Sequence, residues 1–273
     1  MLLSLDSGVT ALDQFQQDLN VIGNNIANVD TVGFKQSNME FADALSQTIG
    51  DNAAGVEQIG TGVVTGSIAE SFTQGSIANT GVPTNMAING NGFFIVKDPV
   101  SGDSYVTRDG NFSVDSNGYL VNSSGMRVQG YDTPALSAMG DIQISNANAP
   151  GGDTSPVQSF TVAANGDVNI LLADGTEYTT GQVLLQNFTA PTQLTSVGNN
   201  LYTGMTNAGE LAAPVAPTTN GMGTLVTGSL EMSNVDLANQ LSQLIVAQRG
   251  FEANSQTITT SNEILQDLVN LKH

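Results

Sequence analysis

Two stripes of apolar residues with a seven-residue period, one at each end of the chain, restrict what this sequence can fold into more than any other feature. Near the start, Leu5, Leu12, Leu19 and Ile26 form one row, and Phe15, Ile22 and Val29 form a second row beside it. Apolar residues recurring at three and four positions mark one face of a helix, and a strict seven-residue period marks a coiled-coil seam. Gly8 and Gly23 weaken the pattern, which stops at Thr31–Gly33, where glycine can take a left-handed stop. Near the end, Leu237, Leu244, Phe251, Ile258 and Leu265 repeat the period across residues 235 to 271. The row beside it is mixed, with Leu241 and Val269 apolar but Gln248, Ser255 and Asn262 polar. Polar members of a seam set register and partner choice at some cost in stability. Asn234 or Ser233 is the expected N-cap, with Asp236 in the first turn facing the positive helix end. At ~1.5 Å per residue the rods measure roughly 40 and 50 Å, well beyond the usual helix of about 11–12 residues.

Between about residues 65 and 230 this periodicity gives way to short β-like runs and turn pairs. Asp109-Gly110, Asn117-Gly118 and Asp174-Gly175 predict two-residue hairpins of type I′, whose central residues both need positive φ. Val106, Phe112, Val114, Tyr119 and Val121 alternate and supply the expected core face, while 144–156 and 207–223 read as loops. The fold class is therefore α+β: paired long terminal helices, coiled-coil-like, plus a central all-β domain. The expected boundaries are 1–35 for the first helix, 36–65 for a connector, 66–228 for the β-domain and 229–273 for the last helix.

Charge narrows the function. Six Lys and Arg against 25 Asp and Glu leave −19, which rules against nucleic-acid binding, because phosphate neutralisation needs cations. Only 11% of residues are charged, so most of the polar surface is Asn, Ser, Thr, Gln and Gly, which can be covered by neighbours without stranding ions. Cysteine is absent, so there is no disulfide and no thiol chemistry. The first fifteen residues lack a basic segment, and Asp6 interrupts their apolar run, so no cleaved leader is expected. The only histidine is His273, and Lys97, Arg108, Arg127 and Arg249 read as isolated. Glycines 60, 62 and 66 miss the dinucleotide spacing, and Asp115–Gly118 reads as a turn rather than a calcium loop. No catalytic residue, cofactor, metal site or small-molecule substrate is expected.

The segment "GNNIANVDTVGFK" at 23–35 resembles the N-terminal signature of the bacterial flagellar rod and hook proteins, through Asn24, Asn25, Ile26, Ala27, Asn28, Thr31, Gly33, Phe34 and Lys35. The C-terminal stretch resembles the same family's terminal helix, with Ser233, Asn234, Val235 and Asp236 at its start and Gln248, Arg249, Phe251 and Asn254 at its centre. Residues 72–81 and 105–131 fit the family's central β-domain. The resemblance implies a self-assembling structural subunit. Its paired terminal helices would line the channel of a helical tube, with the β-domain outside, and the tube would transmit torque in motility. The implied partners are further copies of the chain, other axial proteins (rod, hook cap, hook–filament junction) and the flagellar type III export apparatus, and the implied location is the basal body or hook. Leu5, Leu12, Phe15, Leu19, Ile22, Ile26, Leu237, Leu241, Leu244, Phe251, Ile258 and Leu265 are the expected assembly residues. Gly23, "VQGYD" at 128–132 and the 245–258 stretch favour a short hook subunit, in which an outer domain across 132–215 is absent or vestigial. The alternative is a distal rod subunit. Outside the family, an extracellular β-type binding module would need an aromatic-rimmed groove, and a carboxylate-pair enzyme would need two acids facing one pocket.

Overall fold

The computed structural model describes residues 2–52, 55–132, 139–146, 149, 155–210 and 213–270. The expected loops at 144–156 and 207–223, the proposed outer-domain stretch and His273 lie partly or wholly outside them. The chain forms two compact units. One comprises Met1–Val29, Gln36–Ser71 and Val235–His273; the other comprises Asp30–Lys35 and Phe72–Asn234.

The helical unit is built on α1 (Leu2–Ala27) and α3 (Leu237–Asn270). Gly8 meets Ile258, Phe15 meets Gly250 and Asn25 meets Gln240, so the helices run antiparallel. The region expected to be a connector is β-structure: β1 (Ser37–Asp43) pairs antiparallel with β4 (Val63–Glu70), and β2 (Ser46–Asn52) with β3 (Gly55–Gly60). The 65/66 boundary therefore falls inside β4, because register with β1 and not local composition decides where that strand belongs. The Thr65 hydroxyl donates to Gln14 at 2.5 Å, which ties β4 to α1. The helix starts also differ from expectation. Asp236 itself is the α3 cap, its Oδ1 accepting the Ala238 and Asn239 N–H groups at 2.9 and 3.2 Å. Helix α1 ends at Ala27, and Gly33 takes its left-handed φ of +69° six residues later.

The β unit centres on a single sheet of antiparallel-paired strands, in which neighbours in space are often far apart in sequence. Its middle is β11 (Arg127–Tyr131), β7 (Phe93–Lys97) and β8 (Ser104–Thr107); one flank holds β13 (Val157–Val162), β14 (Asp167–Leu172) and β15 (Glu177–Val183), and the other β18 (Leu201–Thr203) and β17 (Thr195–Gly198). Strand β7 reads Phe-Phe-Ile-Val and is buried on both faces, so it separates two apolar clusters. Phe94, Val96, Met86, Phe112, Leu120 and Ile170 are in the larger; Phe93, Ile95, Val106, Phe188 and Tyr202 are in the smaller. Of the expected core face, Val106 and Phe112 are buried. Val114 is exposed, and Leu120 takes the inward position between half-buried Tyr119 and Val121. The turn chemistry is also different. Gly118 and Gly175 have positive φ, but Asn117 and Asp174 do not, and Asp115 and Asp174 instead accept backbone N–H groups two residues on. These are Asx turns, with a left-handed glycine directly after the first (Gly118) and inside the second (Gly175). Asp109-Gly110 is no hairpin: Gly110 lies flat on the Met86 backbone and accepts its N–H at 3.0 Å. Positive φ at both central positions occurs instead at Asn199-Asn200, between β17 and β18, and at Asn220-Gly221, where the Met222 N–H donates to the Thr219 carbonyl at 2.8 Å.

Candidate functional site

The two helices meet through small residues. A Cβ at Gly250 would lie 2.6 Å from the Phe15 ring, and one at Gly8 would lie 3.2 Å from Ile258. Such close approach leaves no room for large side chains, so the α3 face toward α1 is Gln240, Ala247, Asn254 and Ser261, itself a seven-residue row. The seam read from the leucines is accordingly corrected. Leu244, Ile258 and Leu265 are half-buried, while Leu237, Leu241, Ile245, Val246, Phe251, Ile264 and Val269 remain exposed at 36 to 66%. On α1, Ile22 is buried and Leu5, Leu12, Phe15, Leu19 and Ile26 are half-buried. Helix α3 thus turns much of its apolar mass away from its own chain. Beside it, a groove of about 570 Å³ between α1, β1 and α3 is lined by Phe15, Val21, Ile22, Met39, Phe41 and Val246. The Asp18 carboxyl also faces this groove, and burial pushes its pKa up.

The asparagine-rich signature divides its work between the units. In the helical unit Asn25 is buried and behaves like a strand neighbour. Its Nδ2 donates to the Ser37 carbonyl (2.8 Å) and to Gln240 Oε1 (3.1 Å), and its Oδ1 accepts the Ser37 N–H (2.9 Å). One side chain therefore joins α1, β1 and α3. Asn28 Nδ2 donates to the Asn24 carbonyl at 2.9 Å and closes the helix end, while Asn24 and Ala27 are exposed. In the β unit the Gly33 N–H donates to the Glu231 carbonyl at 2.8 Å, the Phe34 N–H donates to the Thr31 carbonyl at 3.4 Å, and Phe34 is half-buried. A side chain at position 33 would meet the Asp109 nitrogen at 2.7 Å.

Lys35 closes the signature in a fully buried ion pair with Glu231 at 2.6 Å, and Arg108 reaches the other oxygen of the same carboxylate at 3.2 Å. Arg108 also lies 5.0 Å over the Phe93 ring. Burial pushes both cations' pKa values down, and the Glu231 charge partly restores them. Arg108 and Arg127 are thus far from isolated; Arg127 pairs with Asp141 at 2.8 Å and stacks 3.8 Å over Tyr119. Toward the C-terminus, Asn234 Nδ2 donates to Thr73 Oγ1 at 2.8 Å, Gln248 is exposed, Arg249 pairs with Glu252 on the surface, and Asn254 bonds within its own helix. Sequence reasoning missed Glu231 and Gln240. The one available hint for Glu231 was that it is the only acidic residue between Glu210 and Asp236.

Three family profiles match: flagella basal body rod protein at residues 5–35, the flagellar hook protein FlgE/F/G D1 domain at 87–170, and the flagellar basal body rod FlgEFG protein C-terminal domain at 226–271. The flagellar basal-body rod protein FlgG of Bacillus subtilis (strain 168) is 42% identical over 280 residues, with the whole of both chains covered. The chain belongs to the flagellar rod and hook protein family. This is a family of structural proteins of the flagellum, and membership places the chain there; no helix among the described residues is long and apolar enough to cross a membrane. FlgG of Buchnera aphidicola subsp. Acyrthosiphon pisum is 37% identical over 282 residues, covering 99% of this chain and all of that one. The flagellar hook protein FlgE of Borreliella burgdorferi is 25% identical, with both chains fully covered, but its alignment extends over 445 positions. A solved hook protein, FlgE2 of Helicobacter pylori, superposes with a TM-score of 0.23 at 15% identity, covering 47% of this chain and 39% of that one, too distant to inform the fold. The comparisons therefore favour the rod alternative over the hook reading. Gly23, one reason for preferring the hook, has nothing within 4 Å of where a Cβ would stand, so the position is sterically free and discriminates poorly.

Proposed function

We propose that this chain is a subunit of the distal rod of the flagellar basal body, self-assembling into a tube that transmits torque. The observation that supports the rod over the hook is length: the FlgG relatives align over 280 and 282 positions against 273 residues here, whereas the hook relative needs 445. In this reading the helical unit lines the channel and the β unit lies outside it. Copies meet through the outward face of α3, carried by Leu237, Leu241, Phe251 and their neighbours, and through the groove beside Phe15 and Ile22. Leu5, Leu12, Leu19, Ile26, Leu244, Ile258 and Leu265 support the pair from within. Burying such a stripe is favourable by about 25 cal/mol per Å² of apolar area removed from water. The remaining partners of this reading are the neighbouring axial proteins (rod, hook cap, hook–filament junction) and the type III export apparatus.

Electron microscopy of the purified protein tests this. Straight tubes are expected; curved tubes would favour the hook, and a chain that stays monomeric at high concentration would refute self-assembly. Phe251→Asp is expected to abolish tubes, because a carboxylate would have to be desolvated in the contact. The thermal transition of the β unit should stay unchanged in that variant, and its collapse would refute the separation of roles.

A further inference from the structure

The chain passes between the two units four times, after residues 29, 35, 71 and 234. The three β-unit segments that border these passages are held together inside the β unit, around one carboxylate. Glu231 Oε1 accepts from Lys35 Nζ at 2.6 Å and from the Gly75 N–H at 3.0 Å, and Oε2 accepts from Arg108 Nη1 at 3.2 Å. Lys35 also donates to the Thr73 carbonyl at 2.8 Å, and Asn234 donates to Thr73 Oγ1 at 2.8 Å. Backbone bonds repeat the connections: the Gly33 N–H donates to the Glu231 carbonyl and the Met232 N–H to the Ser76 carbonyl, each at 2.8 Å. The segments are drawn so close that any side chain at Gly75 would overlap the Met232 carbonyl.

We infer that Glu231 is the centre of a clamp that ties the exits at 30–35, 72–76 and 229–234 to one another, so that the β unit itself holds the chain ends leading toward α1, β1, β4 and α3. An ionic centre suits this role better than apolar packing. Apolar contacts are non-directional and can slide, whereas a buried carboxylate with three directed donors is strongly penalised when one is withdrawn. Two cations against one anion make each contact to Glu231 matter, and the Phe93 ring face beneath Arg108 offsets part of the excess charge. The clamp is a property of the single chain and stands whether that chain builds a rod or a hook.

Hydrogen exchange by mass spectrometry on the full-length protein tests it. In the wild type, peptides covering 30–36, 72–77 and 229–235 should exchange as slowly as β7 and β14. Glu231→Gln keeps the shape and removes the charge. It should speed exchange at least tenfold in all three exits and leave β7 and β14 slow. Lys35→Met, which leaves Arg108 and Glu231 paired, should loosen 30–36 and 72–77 more than 229–235. If Glu231→Gln speeds exchange equally across β7 and β14, the cluster is general core support and the clamp is refuted. It is equally refuted if the exits stay slow, or if only one of the three opens. Should Glu231→Gln fail to fold, Lys35→Met decides alone, and unchanged exchange at 30–36 overturns the proposal.

Discussion

Asn24 and Asn25 are adjacent in the signature, yet the structure assigns them opposite weights, and replacing each with alanine measures the difference. Asn25 is 1% exposed and makes three hydrogen bonds at 2.8 to 3.1 Å, to both backbone groups of Ser37 and to Gln240. Removing them leaves the Ser37 groups and the Gln240 carbonyl without that partner, at about 1 kcal/mol per bond, or roughly 3 kcal/mol together. Alanine returns about 0.6 kcal/mol of helix propensity. The net loss is therefore about 2–3 kcal/mol, and at 4–8 °C per kcal/mol for a domain of roughly 100 residues the helical melt should fall by about 10–20 °C. Asn24 is exposed, and its side chain makes one weak contact at 3.3 Å to Asn28, so Asn24→Ala should move the melt by less than about 3 °C. Circular dichroism at 222 nm on the full-length protein reads this directly, because α1 and α3 dominate the helical signal. A cycle with Gln240→Ala should give a coupling of about 1 kcal/mol. Equal effects of the two asparagine substitutions would refute the three-element bridge and reduce Asn25 to a helix-end residue.

Acid and backbone crowding provide two more tests, both in the β unit. Burial alone would raise the Asp141 pKa, but hydrogen bonds from Arg127 and Gln129 and the Arg127 charge outweigh it and hold the value below the ordinary one. A lowered folded pKa means stability that is present above the unfolded value of about 3.9 and lost as pH falls through the folded value. Asp141→Asn should therefore flatten the decline of melting temperature below pH 4. Burial raises the Asp109 pKa, so its contribution has the opposite sign, and Asp109→Asn should raise the melting temperature at pH 7 and steepen the acid decline. Gly110→Ala would drive its Cβ into the Met86 backbone carbonyl, which cannot swing aside as a side chain can, and should lower stability by about 3–5 kcal/mol in differential scanning calorimetry. Gly102→Ala, with φ +80° but open space around it, should cost only about 1 kcal/mol. Comparable losses in the two glycine variants would show that the clash is relieved by small backbone shifts.

Much of this protein was legible in its sequence because local periodicity and local chemistry coincide. The seven-residue rows predicted two long terminal helices, the alternating runs predicted a β middle, and the signature from Asn24 to Lys35 pointed to the family. Which side of each helix faces inward was not legible. A seven-residue row of leucines and the adjacent row of Gln240, Ala247, Asn254 and Ser261 have the same period, and only the close approach at Gly8 and Gly250 selects the row that small residues can occupy. The same limit hid the strands between residues 37 and 70, whose pairing is set by register across the chain, and the Asn199-Asn200 turn, whose positive φ values are imposed by the strands it joins. It also hid the ion cluster, since Lys35, Arg108 and Glu231 are separated by up to 196 residues and acquire their meaning only when folding removes them from water. Sequence alone determined the terminal helices, the β character of the middle and the family, because these depend on neighbours along the chain. Tertiary structure decided the inward faces, the buried ion cluster and the apolar surface left exposed on α3, because those depend on which distant groups are brought within a few ångströms and deprived of solvent.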